Sequence, residues 1–422
     1  MFNTLRLWNN RLVLTLVCLL ISASPLTVVA EQIITLNTAI AKTLENNPEL
    51  VALGYHVQIQ EGLLAQAQLA PSPELSLEVE DVLGTGNFSN INAAQTTLSI
   101  GWVLERGIRQ RRVDVASSNV SFASTKIETM RIDKSANTAR YYLDCLSNQV
   151  RYDYAKEAVA LAESIVDAVT ARVNASKSPR AELARAKADL AMKELELEDH
   201  NHELLSSYRR LAAQWGETEP QFTHVEGKLL TLPKTESFDK LITRLDRNSE
   251  IQELLSQRRL NETQLHLANA QSKSPWRVSA GVRRFEQEDD QALVLGLTIP
   301  LTYKNRNQGE IAARQAALDK IDADTRVVDV KIKTQLFILY EELKHSFHRA
   351  TALREEVIPN INQAVDDSKR AYERGIYSFL EWQIVQKELL AANAELVDAM
   401  TSAHLHVIEI ERLTGEKITQ LH

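Results

Sequence analysis

Apolar residues recur every seventh position over two long stretches of this chain. Leu183, Leu190, Leu197, Leu204 and Leu211 form the first run, and Trp382, Leu389, Leu396, Ala403 and Ile410 repeat it 199 positions later. Each run ends in a glycine, Gly216 and Gly415. A step of seven predicts helices packed as coiled coils, over about 180–215 and 379–414. Beside the first run lies a second stripe of Ala184, Ala191, Leu205 and Ala212. A helix with two adjoining stripes has apolar material for neighbours on both sides, as a closed cylinder of helices needs. Each run is preceded by another long helical segment. Residues 108–173 contain neither glycine nor proline, and 309–374 are interrupted only by Pro359, where a kink or break is expected. At 1.5 Å per residue the first of these is a rod of about 100 Å.

Four shorter segments alternate with period two, the signature of strands with one apolar face. In 74–82, Leu75, Leu77 and Val79 oppose Glu74, Ser76, Glu78 and Glu80; in 96–104, Leu98, Ile100 and Trp102 oppose Thr97, Ser99 and Gly101. In 276–284, Trp276, Val278, Ala280 and Val282 oppose Arg277, Ser279 and Arg283, and 292–300 carries Leu293, Leu295, Leu297 and Ile299 on one side. Every charge is expected on the face opposite the large apolar residues. Two readings stand. A soluble β-sandwich alternates in this way, and so does a membrane barrel, whose tilted strands of about 9–11 residues cross the hydrocarbon. Membrane barrels begin at about eight strands, and an open edge in lipid leaves backbone groups unpaired at several kcal/mol each. In the membrane reading several chains must therefore share one barrel, and three chains of four strands make twelve.

The repetition extends to the whole chain. Asn47-Pro48-Glu49-Leu50 is echoed by Asn248-Ser249-Glu250-Ile251, and Ala65-Gln66-Ala67-Gln68 by Ala268-Asn269-Ala270-Gln271. The fold class expected is mainly α with a small β portion, a protomer of two repeats of helix-strand-strand-helix-helix. The first repeat covers 31–216 and opens with a single helix over 36–70; a linker follows at 217–236. The second repeat covers 237–416, and 417–422 form a tail.

Residues 1–30 read as a secretory signal peptide. Arg6 and Arg11 precede an apolar stretch over 12–21, with a cleavage site near Ala30. Val17 before Cys18, where lipoprotein processing expects a small residue, speaks against lipidation. Removing the leader takes away two of the 48 basic residues and none of the 56 acidic ones, which moves the formal net charge from −8 to −10. An acidic chain is a poor match for nucleic acid. Cys145 is then the one cysteine left, so neither an internal disulfide nor a thiolate metal site is expected. The histidines pair as His345 with His348, His404 with His406, and His200 with His202. The first pair alone shares a helix face and it lacks a third ligand, so no metal site is assigned. The sequence carries no Gly-x-Ser-x-Gly, no His-Glu-x-x-His and no phosphate-cradling glycine loop. Neither an enzyme nor a cofactor is expected.

Several of these stretches resemble the TolC-like outer-membrane factors, and among them the subfamily serving heavy-metal cation efflux pumps of the resistance–nodulation–division type. They are Asn47-Pro48-Glu49-Leu50, Pro73-Glu74-Leu75-Ser76-Leu77-Glu78-Val79-Glu80-Asp81, Thr298-Ile299-Pro300-Leu301, and Asn305-Arg306-Asn307-Gln308-Gly309-Glu310. Pro359 and Ala371-Tyr372-Glu373-Arg374-Gly375-Ile376-Tyr377-Ser378-Phe379-Leu380-Glu381 complete the set, which covers 33–416. The resemblance implies a homotrimer in the outer membrane with a twelve-stranded β-barrel in lipid and a long α-helical barrel through the periplasm. It implies hairpin tips that meet a periplasmic adaptor (membrane fusion) protein and an inner-membrane pump. The adaptor-contact residues would be Ser176, Ser178, Pro179 and Arg180 at one tip, and Gly375, Tyr377 and Ser378 at the other. Ser176 departs from the pattern, since a glycine is usual there, and 101–107 departs modestly.

The lipid-facing residues would be Leu75, Leu77, Val79, Leu98, Ile100, Trp102, Val278, Val282, Leu293, Leu295, Leu297 and Ile299. By the same resemblance Glu381 faces the lumen in a threefold carboxylate ring that favours cations. Its other reading is a first-turn residue stabilised by the helix dipole. Asp366 and Asp367 are lumen candidates too, set against a reading as solvated surface charges. The function expected is a passive exit duct for divalent heavy-metal cations. The alternatives are a multidrug or secretion duct of the same fold, or a periplasmic coiled-coil scaffold.

Overall fold

The computed structural model of the chain describes residues 33–301 and 306–416. The expected leader, Asn305 and the tail at 417–422 lie outside the described residues. In chain order the elements are β1 (Ile33–Ile34), α1 (Leu36–Asn46), α2 (Pro48–Gln68), β2 (Glu74–Glu80), β3 (Gln95–Leu104), α3 (Ile108–Asn174) and α4 (Arg180–Ala212). The second half brings β4 (His224–Val225), α5 (Phe238–Ile242), α6 (Ser249–Gln271), β5 (Trp276–Phe285), β6 (Asp290–Thr298), α7 (Gln308–Ala352), α8 (Ile358–Glu373) and α9 (Phe379–Thr414). The molecule is mainly helical, and its one large sheet stands at the end of the long helices where α2 and α6 finish.

The single helix expected over 36–70 is two. The chain breaks at Asn47, whose φ of −62° and ψ of 122° are extended. The ring of Pro48 excludes the helical region for the residue before it, while its own fixed φ suits a first helical turn. Asn47 then caps α2, accepting at Oδ1 from the Glu49 and Leu50 amides, and donates from Nδ2 to the Gln214 carbonyl at 2.7 Å. Asn248 repeats both roles in the second half. Its Oδ1 accepts from Glu250 and Ile251, and its Nδ2 donates to the Leu413 carbonyl at 2.9 Å.

At Pro359 the expected interruption takes the form of a π-helical turn over Leu353–Val357, immediately before α8. Proline offers no amide to the carbonyl four residues back and its ring crowds that carbonyl. Widening the turn just upstream carries the helix axis past the residue.

The 217–236 stretch is tied into the core. Within it β4 pairs in parallel with β1, and Phe222, Val225 and Leu229 are buried. Gln149 on α3 holds β4 like a strand neighbour. Its Oε1 accepts from the Val225 amide at 2.8 Å and its Nε2 donates to the Val225 carbonyl at 3.1 Å. The buried Tyr142 hydroxyl lies 2.8 Å from the Ile34 carbonyl and 2.6 Å from that of Glu226, and donates to one at a time. Around these packs the main core, with Leu143, Leu146, Leu211 and Trp215 from the first half and Leu396, Val397 and Met400 from the second. Leu204 and Leu211 of the first heptad run are buried, and Trp382, Leu396, Ala403 and Ile410 of the second. The adjoining Ala184, Ala191 and Leu205 stay exposed on the single chain.

Candidate functional site

The four-stranded sheet has the order β2-β3-β5-β6, every neighbour antiparallel. Its register decides which side chains share a face. Leu75, Ile100, Ala280 and Leu295 form one row across the strands, and Leu77, Leu98, Val282 and Leu293 the next. Trp102, Val278 and Leu297 form a third. One continuous face of the sheet is therefore apolar, and it is uncovered: Leu75 is 75% exposed and Leu295 73%. A water-bathed sheet buries such a face, and nothing among the described residues packs on this one.

The opposite face is polar and small. Arg283 donates to Thr97 at 2.8 Å, to Gln95 at 3.0 Å and to Glu80 at 2.7 Å, and Arg277 pairs with Glu74 at 3.3 Å. Between these pairs lie Ser76, Ser99, Gly101, Ser279, Gly281 and Gly296. A Cβ on Gly281 would stand 2.5 Å from the Leu98 carbonyl oxygen and 2.6 Å from the Ser99 Cβ. That crowding marks the inside of a strongly curved sheet, where side chains converge.

One expectation about this sheet needs correction. Not every charge lies opposite the apolar residues, because Arg284 shares the face of Val282. It sits next to last in β5, beside the hairpin turn, where Glu286 and Asp289 each meet its guanidinium at 2.8 Å. The turn supplies the carboxylates that a mid-sheet position would lack.

At the far end of the long helices two tips face the opposite way. The first, 175–179, joins α3 to α4; the second, 374–378, joins α8 to α9. Both close α3 and α8 with a six-to-one backbone bond, Lys177 amide to Arg172 carbonyl and Ile376 amide to Ala371 carbonyl, each 2.9 Å. The left-handed residue in each is Ser176 (φ 58°) and Gly375 (φ 78°). The serine thus keeps the turn that its glycine counterpart makes, at a cost of about 1–2 kcal/mol for an L side chain in that region. Ser176, Pro179, Arg180, Gly375, Tyr377 and Ser378 are exposed, and Ser178 is half-buried.

Arg172 joins the two tips. It donates to Ser178 Oγ at 3.1 Å and to the Tyr372 and Glu373 carbonyls at 2.9 Å each, with its guanidinium 4.6 Å over the Tyr372 ring. Tyr372 stacks on Trp382 at 5.1 Å and meets Phe379 edge-on, so the arginine rests on an aromatic core. No periodicity in the sequence singles out this residue, since its partners come from the other half of the chain.

Glu381 is the third residue of α9 and closes a capping box: its Oε2 accepts from the Ser378 amide at 2.7 Å and from the Ser378 hydroxyl at 2.9 Å. Those bonds hold its carboxyl below the ordinary carboxylate range. Asp366 is exposed, whereas Asp367 accepts from Gln363 and pairs with Arg370. His404 is buried with Nε2 3.1 Å from the Leu229 carbonyl, while His345 and His348 are exposed. Among the described residues no group of three or more His, Cys, Asp or Glu is placed to hold a metal ion, and no helix is long and apolar enough to cross a membrane.

A model of the family described as outer membrane efflux protein matches residues 39–217. Over that stretch the chain resembles the family. It is 24% identical over 382 residues, 90% of each chain, to the cobalt-zinc-cadmium resistance protein CzcC of Cupriavidus metallidurans. The nickel and cobalt resistance protein CnrC of the same organism is 26% identical over 288 residues, 66% of this chain and 68% of that one. Among solved structures, the outer membrane protein VceC of Vibrio cholerae superposes with a TM-score of 0.72 at 18% identity, covering 91% of this chain and 97% of that one. The fold is that of the TolC-like outer membrane channels.

Proposed function

We propose that three copies of this chain close a twelve-stranded barrel in the outer membrane and a helical barrel below it. The assembly conducts substrate passively from a periplasmic adaptor and an inner-membrane pump of the resistance–nodulation–division type to the exterior. The observation that carries this reading is the open sheet with an uncovered apolar face. Its edge strands, β2 and β6, run in opposite directions. β6 of one protomer therefore meets β2 of the next antiparallel, and a head-to-tail ring satisfies every edge amide and carbonyl. Lipid then covers the apolar rows, and the Arg283 and Arg277 pairs line the bore. Extraction of outer membranes in mild detergent should yield a trimer. Recovery of the chain as a soluble periplasmic monomer would overturn the reading.

We infer divalent heavy-metal cations as the substrate class, supported by the resistances for which CzcC and CnrC are named. Three Glu381 carboxylates around the tip aperture would favour cations, and the hydrogen bonds from Ser378 keep each ionised. Exposed Asp366 adds charge on the same helix pair, and the exposed Ile376, Tyr377 and Leu380 offer the adaptor apolar contact. A strain lacking the gene should lose tolerance to one or more of zinc, cobalt, cadmium, copper and nickel. Unchanged metal tolerance with new sensitivity to dyes or detergents would point to multidrug efflux through the same duct.

A further inference from the structure

The apolar face of the sheet carries an arginine at each end, and the two differ in one respect. Arg284, at the hairpin end, is held by Glu286 and Asp289. Arg106, at the helix end, has no carboxylate partner among the described residues. Its left-handed backbone (φ 50°) turns the chain out of β3, and its guanidinium lies 4.8 Å over the ring of Trp276. Trp276 pairs in register with Leu104 as the first residue of β5, on the same face as Trp102. An indole at the last strand position with a guanidinium laid on it is an arrangement suited to the boundary between hydrocarbon and headgroups.

The charges around Arg106 sharpen the contrast. Four carboxylates near this end of the sheet are engaged: Glu105 by Arg112 at 3.1 Å, Asp114 by Arg111 at 3.2 Å, Glu74 by Arg277 at 3.3 Å and Glu310 by Arg314 at 2.7 Å. Two further cations stand beside them. Arg109, on the first turn of α3, and Lys273, three residues before Trp276, are exposed and have no acidic partner among the described residues. The base of the sheet is thus an apolar wall bordered by indoles, with unneutralised cations just beyond it.

We propose that Arg106, with Arg109 and Lys273, binds the phosphate of an anionic phospholipid in the periplasmic leaflet, the acyl chains lying against Leu104, Trp102 and Trp276. The inference rests on the membrane-barrel reading. Guanidinium suits a phosphate because its planar fork of donors matches two phosphate oxygens, and its long aliphatic stem crosses the boundary without burying the charge. A phosphatidylglycerol headgroup supplies a net negative charge there and a phosphatidylcholine headgroup does not, so charge complementarity selects the former.

The test uses the full chain purified in neutral detergent and reconstituted separately into vesicles of phosphatidylcholine alone and of phosphatidylcholine with phosphatidylglycerol. Lipid retained per protomer after re-extraction is counted by native mass spectrometry. Wild type should retain phosphatidylglycerol in preference. Arg106→Gln should weaken that preference about fivefold, and the double variant with Arg109→Gln further, while Lys126→Gln, on an exposed site far down α3, should leave it unchanged. Equal retention of both lipids by wild type, or an Arg106→Gln variant with wild-type preference, overturns the proposal. Displacement of the lipid by an equal concentration of inorganic phosphate overturns it too, since it assigns a simple anion site. Insertion into vesicles is scored separately. A chain that inserts without headgroup preference refutes this inference alone, whereas a chain that inserts into neither vesicle refutes the barrel reading beneath it.

Discussion

Arg172 on α3 caps the C-terminus of α8 by donating to the Tyr372 and Glu373 carbonyls while its guanidinium covers the Tyr372 ring. One side chain from the first half thereby fixes the tip of the second. Arg172→Ala should free two terminal carbonyls and uncover the aromatic cluster, loosening the tip by about 2–3 kcal/mol. Hydrogen exchange at the amides of 374–378 measures it. Protection equal to wild type would mean that Phe379 and Trp382 hold the tip unaided. Arg172→Lys should rescue only part, since an ammonium cannot span both carbonyls and cover the ring.

Ser176 and Gly375 hold the same left-handed position in the two tips. Ala in place of Gly375 should therefore lower stability by about 1 kcal/mol, while Ser176→Ala, where an L side chain already sits, should be near neutral. Thermal melts of the two variants side by side test the asymmetry. Equal losses would show that hydrogen bonding by the serine hydroxyl, and not backbone strain, sets the cost.

Leu297 lies in the row of Trp102 and Val278 on the apolar face, and Glu78 lies opposite Thr97 on the polar one. Leu297→Arg should impair barrel assembly, by less than the ~2–4 kcal/mol of a midplane charge because its row adjoins the boundary indole Trp276, whereas Glu78→Lys should assemble normally. Heat-modifiable trimer in outer-membrane fractions is the readout. Full assembly of Leu297→Arg would mean that this face meets water.

Glu411 is buried near the end of α9, with Oε2 lacking a hydrogen-bond partner among the described residues. Burial, aided by the nearby charge of Glu416, pushes its carboxyl from 4.5 up to about 7. A raised folded value means that the folded state holds the proton more tightly than the unfolded one. The contribution is complete below the ordinary carboxylate value and is lost as pH rises through about 7, amounting to about 3 kcal/mol per protomer. Glu411→Gln should remove this slope and melt higher than wild type at pH 8. Parallel melting curves for both proteins between pH 5 and 8 would rule the carboxyl out as the cause.

The heptad runs, the duplication and the parity of the strands were all legible, because each follows from one dominant period. The break at Asn47 was equally present in the sequence, as a capping residue followed by proline. The apolar pattern running through both helices masked it. Arg284 departs from the parity because the turn beside it supplies Glu286 and Asp289, a local effect that alternation does not encode. The β1–β4 pairing and the grip of Arg172 lay beyond reach, since Gln149, Tyr142 and Tyr372 act across separations that no local pattern encodes. Glu381 was legible as a first-turn residue of α9, and its capping box with Ser378 is what the structure adds.

The direction of the two sheet edges has one more consequence. A hairpin of β2 and β3 alone also presents edges that run opposite ways. A chain carrying a single repeat would thus obey the same joining rule as the whole protomer, and six such chains would complete the circle that three complete in the proposed trimer. Two repeats joined in one chain, with asparagines in matching posts, need no new geometry and halve the number of subunits that such a ring requires.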